Sequence, residues 1–200
     1  NENVISFDNV TVSDVVLENY DAVNMQFVEA QPTFEFFDDF NRQELGLNWT
    51  APELGFLNSG GIKIGDNSLL WLTAPGSQLS DFELTFYLNK DIDYCGGNKR
   101  TYIYARANGS AKITVELNDG YWVNLRDTSG NSAYGANLAP GYYRLKALGN
   151  IVTFSNMEGS GTSVNLEIVT DVVSAGSIGF GVNEEWALID DVSVSNVAAF

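Results

Sequence analysis

The chain has 200 residues, of which 44% are hydrophobic and 12% aromatic, and its 26 acidic and 10 basic residues give a formal net charge of −16. This is enough chain for one domain with a sizeable core. So acidic a chain is poorly suited to duplex DNA or to an anionic membrane, because both attract basic surfaces. Histidine is absent, which excludes Ser-His and Cys-His catalysis and metal sites that need imidazole. We therefore expect neither a nucleic-acid partner nor membrane insertion.

The N-terminal segment, residues 1–33, is expected to stand apart from a main domain at residues 34–200. The stretch Ser6–Val15 is similar to Leu188–Val197, which favours the closing strand of a preceding module in a tandem array, followed by a linker. Two alternatives stay open: two independent strands with a common pattern, or an N-terminal strand that extends a sheet of the same domain. The first residue is Asn rather than Met, so a processed or excised chain is expected.

From residue 81 onward, apolar and polar residues alternate with period two, as in half-buried β-strands. Turn-forming residues such as Asn108-Gly109 and Gly149-Asn150 separate these runs. Many short strands at this spacing predict an all-β fold, an antiparallel two-sheet jelly-roll sandwich. The predicted strands are Asp81–Asn89, Thr101–Ala107, Ala111–Asn118, Tyr121–Asp127, Gly141–Leu148, Ile151–Asn156, Ser163–Val169, Ser177–Val182 and Ala187–Ser195.

The same alternation predicts one polar sheet face that is rich in aromatic side chains. If the apolar positions of four successive strands face the core, the intervening positions share the outer face. Aromatic rings stack on the apolar faces of sugar rings, while Arg and Glu bind hydroxyls or charged substituents. Two alternatives stay open: the rings contact another protein, or they are present because strands favour Tyr and Trp. The candidate glycan-binding residues are Tyr87, Tyr102, Tyr104, Arg106, Glu116, Trp122 and Arg126.

The charge is unevenly distributed along the chain. Residues 1–66 hold twelve acids and two bases, and residues 151–200 hold seven acids and no base, whereas residues 81–150 hold seven acids and eight bases. The middle of the chain is therefore where an anionic partner, such as an anionic polysaccharide, would not be repelled. The alternative is that these Lys and Arg residues protect strand edges from pairing with other chains.

Two short motifs stand at the ends of the main domain. Phe36-Phe-Asp-Asp-Phe-Asn-Arg42 and a following Gly46-Leu-Asn-Trp49 open it, and Leu188-Ile-Asp-Asp-Val-Ser-Val194 closes it. Together they resemble the ends of bacterial and phage concanavalin A-like (laminin-G-like) jelly rolls. The resemblance covers residues 34–197 and implies that fold. The fold hosts lectins, hydrolases, lyases and structural modules alike, so it does not by itself imply one function.

The domain ends also look like those of laminarinase- and agarase-type glucanases, which carry their catalytic carboxylates as Glu-x-Asp-x-Glu on one strand. This sequence contains no such triplet, so we predict a protein that is not an enzyme. One enzymatic alternative remains. If the strand at 101–107 lay between theirs, Glu83 and Glu116 would be about 9–10 Å apart on one face, near the carboxylate separation of inverting glycosidases.

The resemblance to glucanases further implies a structural Ca²⁺ held by one acid in the opening motif and one in the closing strand. Asp39 and Asp190 occupy these positions, and carboxylates are ligands that Ca²⁺ prefers. Alternation places Asp190 inward and Asp191 in solvent. The alternative is that these acids cap turns or simply face water.

These observations favour a non-catalytic carbohydrate-binding module of an extracellular or virion surface protein. The second hypothesis is a structural or decorating module, of a phage capsid or tail or of an adhesin, whose aromatic face contacts another protein or a second copy. A glycan hydrolase or lyase is the third.

Overall fold

A computed structural model describes residues 34–50, 55–58, 61–65, 67–90, 99–118, 122–136, 140–157, 163–184 and 186–197. All of these lie within the compact unit Pro32–Phe200. The predicted N-terminal segment, with its Ser6–Val15 strand, lies outside the described residues. In the part of the chain that the structure describes, no helix is long and apolar enough to cross a membrane.

The described residues form fifteen β-strands, which confirms the all-β prediction. Each predicted strand from residue 81 onward corresponds to an observed one, with ends that differ by two residues at most. The strands are β1 (Glu35–Asp38), β2 (Trp49–Thr50), β3 (Gly55–Asn58), β4 (Gly61–Gly65), β5 (Leu69–Leu72), β6 (Phe82–Lys90), β7 (Arg100–Asn108), β8 (Ala111–Asn118), β9 (Trp122–Asp127), β10 (Ser132–Ala136), β11 (Gly141–Leu148), β12 (Ile151–Asn156), β13 (Asn165–Val169), β14 (Ser177–Asn183) and β15 (Trp186–Asn196).

The strands form two antiparallel sheets. Sheet 1 has the order β13-β12-β11-β6-β15-β4-β3, and sheet 2 has the order β10-β9-β8-β7-β14-β5-β2. Strand β1 also belongs to sheet 1 and pairs with residues 192–195 of β15, beyond the part of β15 that pairs with β4. The chain passes repeatedly from one sheet to the other, for example between β6 and β7 and between β10 and β11, as in a jelly roll. The two-sheet sandwich predicted from the sequence is thereby confirmed.

The core lies between the sheets and is made of the positions that alternation assigned to it. Phe82, Leu84, Phe86 and Leu88 of β6 are buried, as are Ile113, Val115 and Leu117 of β8. Each strand contributes alternate side chains to this layer, and the opposite positions point away from it. Aliphatic and aromatic side chains from both sheets therefore exclude water from one continuous core.

The opening motif has a structural role that its sequence does not reveal. The buried Asp38 carboxylate accepts hydrogen bonds from the Arg42 guanidinium, from the Trp49 indole N–H at 2.7 Å and from the Phe40 N–H at 2.8 Å. Trp49 in turn packs its ring against Phe36 and Phe40, with centroids 5.7 and 5.4 Å away. One carboxylate thus joins the first strand, the following turn and the core, so the motif stabilises the fold.

The opening and closing strands lie side by side. Strand β1 pairs with β15 from Glu35 opposite Ser195 to Asp38 opposite Val192. The ends of the domain are therefore held together by backbone hydrogen bonds within sheet 1.

Candidate functional site

The outer face of sheet 2 carries a set of aromatic and polar side chains from five strands. Cross-strand pairing places Trp71, Gly179, Tyr104, Thr114 and Arg126 in one row. Because paired residues of antiparallel strands share a face, the next row is Leu69, Gly181, Tyr102, Glu116, Asn124 and Tyr134. We call this surface the aromatic face; its members are Trp71, Arg100, Tyr102, Tyr104, Lys112, Thr114, Glu116, Asn118, Trp122, Asn124, Arg126 and Tyr134.

Two glycines of β14 let neighbouring side chains approach the sheet closely. A Cβ at Gly179 would stand 2.4 Å from a ring carbon of Trp71, and one at Gly181 would stand 2.8 Å from Leu69. With no side chain beneath it, Trp71 stacks on Tyr104 with centroids 5.5 Å apart, and Tyr104 stacks on Tyr102 at 5.8 Å. The result is a ladder of three stacked rings across β5, β7 and the strand between them.

Beyond this ladder, two further rings extend into solvent. Trp122 is 58% exposed and Tyr134 is 67% exposed. Rings so open contribute little to the core, and clusters of exposed aromatic residues mark surfaces that contact a ligand or partner.

A charged triad lies next to the ladder. The Glu116 side chain is 7% exposed and binds two guanidiniums, with 3.0 Å between its Oε1 and Arg100 Nη1 and 2.9 Å between its Oε2 and Arg126 Nη2. Lys112 adds a third cation, its Nζ 5.1 Å from the centroid of the Tyr104 ring. The carboxylate is thereby neutralised and holds both arginines in place.

Burial and the local charges keep the ladder's central tyrosine protonated. Burial, and after it the neighbouring Tyr102, raise the pKa of Tyr104 to about 12, although Arg126 acts in the opposite direction. Its hydroxyl therefore remains a hydrogen-bond donor throughout the physiological pH range. Nearby, the side-chain carbonyl oxygens of Asn118 and Asn124 have no hydrogen-bond partner among the described residues, so either amide can turn toward a ligand without breaking a bond at that oxygen.

The prediction that Arg106 belongs to this face is wrong. Its φ is +48°, and the pairing registers of β7 shift on both sides of it, which marks a β-bulge. A bulge reverses the alternation of side chains, so Arg106 points inward and is 1% exposed. Its guanidinium donates to the carbonyl oxygens of Ser80, Val172 and Gly149 at 2.5, 2.7 and 2.8 Å, and to Asp81 at 3.3 Å.

The prediction that Tyr87 shares a sheet face with Tyr102 is also wrong. Tyr87 faces outward, but β6 pairs with β11 and β15 in sheet 1 and not with β7. Its ring is 5.2 Å from that of Tyr142, whose hydroxyl donates to Asp191 at 2.6 Å. The sequence argument placed all four strands in one sheet, whereas the chain crosses from sheet 1 to sheet 2 between β6 and β7.

The same topology separates the two carboxylates of the enzymatic alternative. Glu83 lies on the outer face of sheet 1, where Arg144 and Lys146 are 3.3 and 4.0 Å away. Glu116 lies on the outer face of sheet 2, so the core stands between them and they cannot act on one substrate as a pair.

The acids proposed to bind Ca²⁺ are placed differently from the prediction. Asp190 is half-buried and faces outward, because a bulge with Asp191 at φ +46° reverses the alternation along β15. Asp39 is exposed and caps a turn by accepting the Asn41 N–H at 3.0 Å. Burial raises the pKa of Asp190, and repulsion by Asp191, Asp39 and Asp38 adds to the rise, although the Asp191 N–H opposes it.

These acids supply few ligands for Ca²⁺, which takes six to eight oxygens. The described residues contain no group of three or more His, Cys, Asp or Glu side chains arranged to hold a metal ion. Asp38 is already bound by Arg42 and Trp49. The metal site therefore stays a prediction, tested below.

Three members of the aromatic face, Trp71, Tyr134 and Arg100, lie outside the strands that the sequence predicted. Trp71 lies in Leu69-Leu-Trp-Leu72, where nearly uniform apolarity hides the alternation, and Tyr134 lies in a short strand flanked by turn residues. Arg100 precedes the predicted strand by one residue, so extending the alternation backward from Tyr102 would have found it.

No protein-family model and no curated protein matches the sequence. Solved structures match the fold at low sequence identity. The GH43 protein BlXynB from Bacillus licheniformis aligns with a TM-score of 0.64 and 13% identity over 80% of this chain and 39% of that protein. The carbohydrate-binding module CBM66 from Bacillus subtilis aligns with a TM-score of 0.55 and 15% identity over 73% of this chain and 94% of the module.

A third similar structure is the exoplasmic/lumenal domain of VIP36 in its Ca²⁺/Man3GlcNAc-bound form, with a TM-score of 0.58 and 8% identity over 76% of this chain and 85% of that domain. This chain spans less than half the length of the GH43 protein. At these identities the likeness establishes the fold, a jelly-roll β-sandwich that carbohydrate-binding proteins also have.

Proposed function

We propose that this domain is a non-catalytic carbohydrate-binding module that binds its ligand on the aromatic face. The observation that carries the proposal is the ring ladder of Trp71, Tyr104 and Tyr102 together with the exposed Trp122 and Tyr134. Rings arranged in a row offer successive apolar surfaces to the sugar units of a chain. The named neighbours CBM66 and VIP36, the latter bound to Man3GlcNAc, support this use of the fold.

The non-catalytic part of the proposal is supported by the chemistry of the acids. Glu116 is the carboxylate at the centre of the face, and both of its oxygens bind arginines, a state unsuited to a general acid or base. We further propose that the domain belongs to an extracellular or virion surface protein, where it would bind its glycan.

A glycan-array screen of the full chain, followed by Trp122→Ala, tests this function. We expect binding to at least one glycan class, and a loss of about tenfold or more in the variant, since stacking on an exposed ring is worth over 1 kcal/mol. The melting temperature should change little because the ring is largely outside the core. Tyr142→Ala, which removes an exposed ring from the other sheet, is the matched control and should bind normally.

Incubation with laminarin, agar, alginate and carrageenan should release neither reducing sugar nor unsaturated product. If no glycan is bound, or if Trp122→Ala unfolds the chain, the proposed face is not a carbohydrate site. Turnover that Glu116→Gln abolishes would contradict the non-catalytic part alone.

A second candidate function, contact with another protein, is favoured by apolar residues near the opening strand. Phe37 and Leu47 are largely exposed, and they lie outside the aromatic face. Light scattering of the full chain and of Phe37→Ser would reveal self-association that depends on this residue.

A further inference from the structure

The aromatic face has a positive net charge, whereas the chain as a whole is acidic. Among its described members, three are basic (Arg100, Lys112 and Arg126) and one, Glu116, is acidic, whereas the whole chain has a net charge of −16. Because salt screens charges beyond about 8 Å at physiological ionic strength, a ligand on this face is attracted by the local cations more than it is repelled by distant acids.

The two arginines keep donors for a ligand. Each guanidinium has five N–H groups, and the contacts with Glu116 use one terminal nitrogen of each. The Arg100 and Arg126 side chains remain 39% and 47% exposed. Glu116 therefore acts as a positioning residue that fixes two guanidiniums without covering them, and a planar guanidinium edge matches the oxygens of a carboxylate or sulfate.

These cations border directly on the ring ladder. Arg126 shares a row with Tyr104 and Trp71, and Arg100 precedes Tyr102 by two positions on the same face of β7. A sugar that stacks on the ladder would thus place a ring substituent against a guanidinium. Neutral sugars use such cations only through hydroxyls, whereas an anionic substituent adds the attraction of opposite charges and can accept two parallel N–H bonds from one guanidinium.

We propose that the ligand of this face is an acidic polysaccharide, whose carboxylate or sulfate groups bind Arg100 and Arg126 while its sugar rings stack on the ladder. The inference rests on the proposed carbohydrate-binding function and narrows it to one ligand class. Lys112, whose ammonium lies over Tyr104, adds attraction from the far side of the ladder.

The test is a calorimetric titration of the full chain with three probes of similar length: oligogalacturonate, sulfated carrageenan oligosaccharides and neutral galactan oligosaccharides. We expect one or both acidic probes to bind about tenfold or more tightly than the neutral probe at low salt. This preference should shrink as NaCl is raised from about 20 to about 200 mM. Comparing the two acidic probes distinguishes a carboxylate from a sulfate ligand.

Variants of the charged triad test whether its arginines cause the preference for acidic over neutral probes. Arg100→Gln and Arg126→Gln should each weaken binding of the acidic probe more than binding of the neutral probe, and so remove most of the preference. Arg144→Gln is the matched control, because Arg144 is similarly exposed and pairs with Glu83 on the other sheet; it should bind as the unaltered chain does.

Equal, salt-independent binding of neutral and acidic probes would overturn this inference and leave the proposed function standing. Failure of all three probes, together with a negative glycan array, would overturn both. Tighter binding of an oligo(dT) strand than of either acidic probe would also contradict the inference, because it would assign the face to nucleic acid.

Discussion

Arg106 and Arg126 both lie in the central strands of sheet 2, but the structure uses them in opposite ways. Arg106 is enclosed by three backbone carbonyls and Asp81 inside the sandwich, whereas Arg126 stands half in solvent against Glu116. Arg106 donates hydrogen bonds to polar groups that burial would otherwise leave unpaired. Arg126 keeps N–H donors that can bind a ligand. The comparison indicates that the buried charges hold this fold together and that the exposed ones, beside the ring ladder, are available for binding.

The largest loss of stability is expected when the buried arginine, Arg106, is replaced. Arg106→Met removes the donor to three carbonyls and leaves Asp81 without its cation, which should destabilise the fold by about 3–5 kcal/mol. Arg126→Met should cost about 1 kcal/mol or less, because Arg126 is half-exposed and Glu116 keeps its ion pair with Arg100. Urea unfolding of both variants measures the difference, and equal losses would mean that the assignment of the two roles is wrong.

Asp38 provides a second buried charge whose role depends on pH. Burial alone would raise its pKa, but hydrogen bonds from Arg42, the Phe40 N–H and Trp49 outweigh burial and hold the pKa below 3.8. A lowered pKa stabilises the folded state above the unfolded value, and this stabilisation is lost as the pH falls through the folded value. Asp127, bound by Thr170 and Asn131, behaves alike.

We therefore expect Asp38→Asn to lose about 3 kcal/mol at neutral pH. The difference from the unaltered chain should shrink as the pH is lowered below 3.8. Thermal unfolding across this range measures it; a difference that stays constant down to the lowest pH would show that the pKa of Asp38 is the same in the folded and unfolded states.

Gly179 connects the core to the aromatic face, so its substitution should affect both. A Cβ there would lie 2.4 Å from the Trp71 ring and 2.7 Å from the Leu70 carbonyl oxygen. Gly179→Ala should cost about 1–3 kcal/mol and weaken glycan binding by displacing Trp71 from the ladder. Gly130→Ala is the control for lost stability without a displaced ring, since its φ of +98° strains an Ala there but nothing lies within 4 Å of its Cβ position. Normal binding by Gly179→Ala would show that Trp71 takes no part.

The smallest effect is expected from Asp190→Asn, and a bound Ca²⁺ would reverse the sign of its effect on stability. The raised pKa of Asp190 means that any stabilisation it provides at low pH is lost as the pH rises through the folded value. Without a cation, Asp190→Asn should raise stability at neutral pH by about 0.5 kcal/mol or less, after screening. If Ca²⁺ binds, chelator should lower the melting temperature of the unaltered chain and leave that of the variant unchanged. Identical melting curves of the unaltered chain in Ca²⁺ and in chelator would show that no metal site exists here.

Much of the fold could be predicted because its determinants are local. Alternation along 81–89 and 111–118 is a property of neighbouring residues, and it correctly assigned Phe82, Glu116 and Trp122 to their faces. It failed at Arg106 and Asp190, since a bulge with a positive φ shifts the pattern without changing the residue types.

What the sequence determined by itself is that the chain forms antiparallel strands with one buried side, because burial of alternate apolar residues drives each of them separately. Only the tertiary structure decided which strands became neighbours. It sent Tyr87 to sheet 1, brought Trp71 of β5 across Gly179 to Tyr104, and placed Arg100 opposite Arg126 around Glu116. These contacts join residues that are distant in the chain, so no local pattern records them; they follow from closing two sheets around one core.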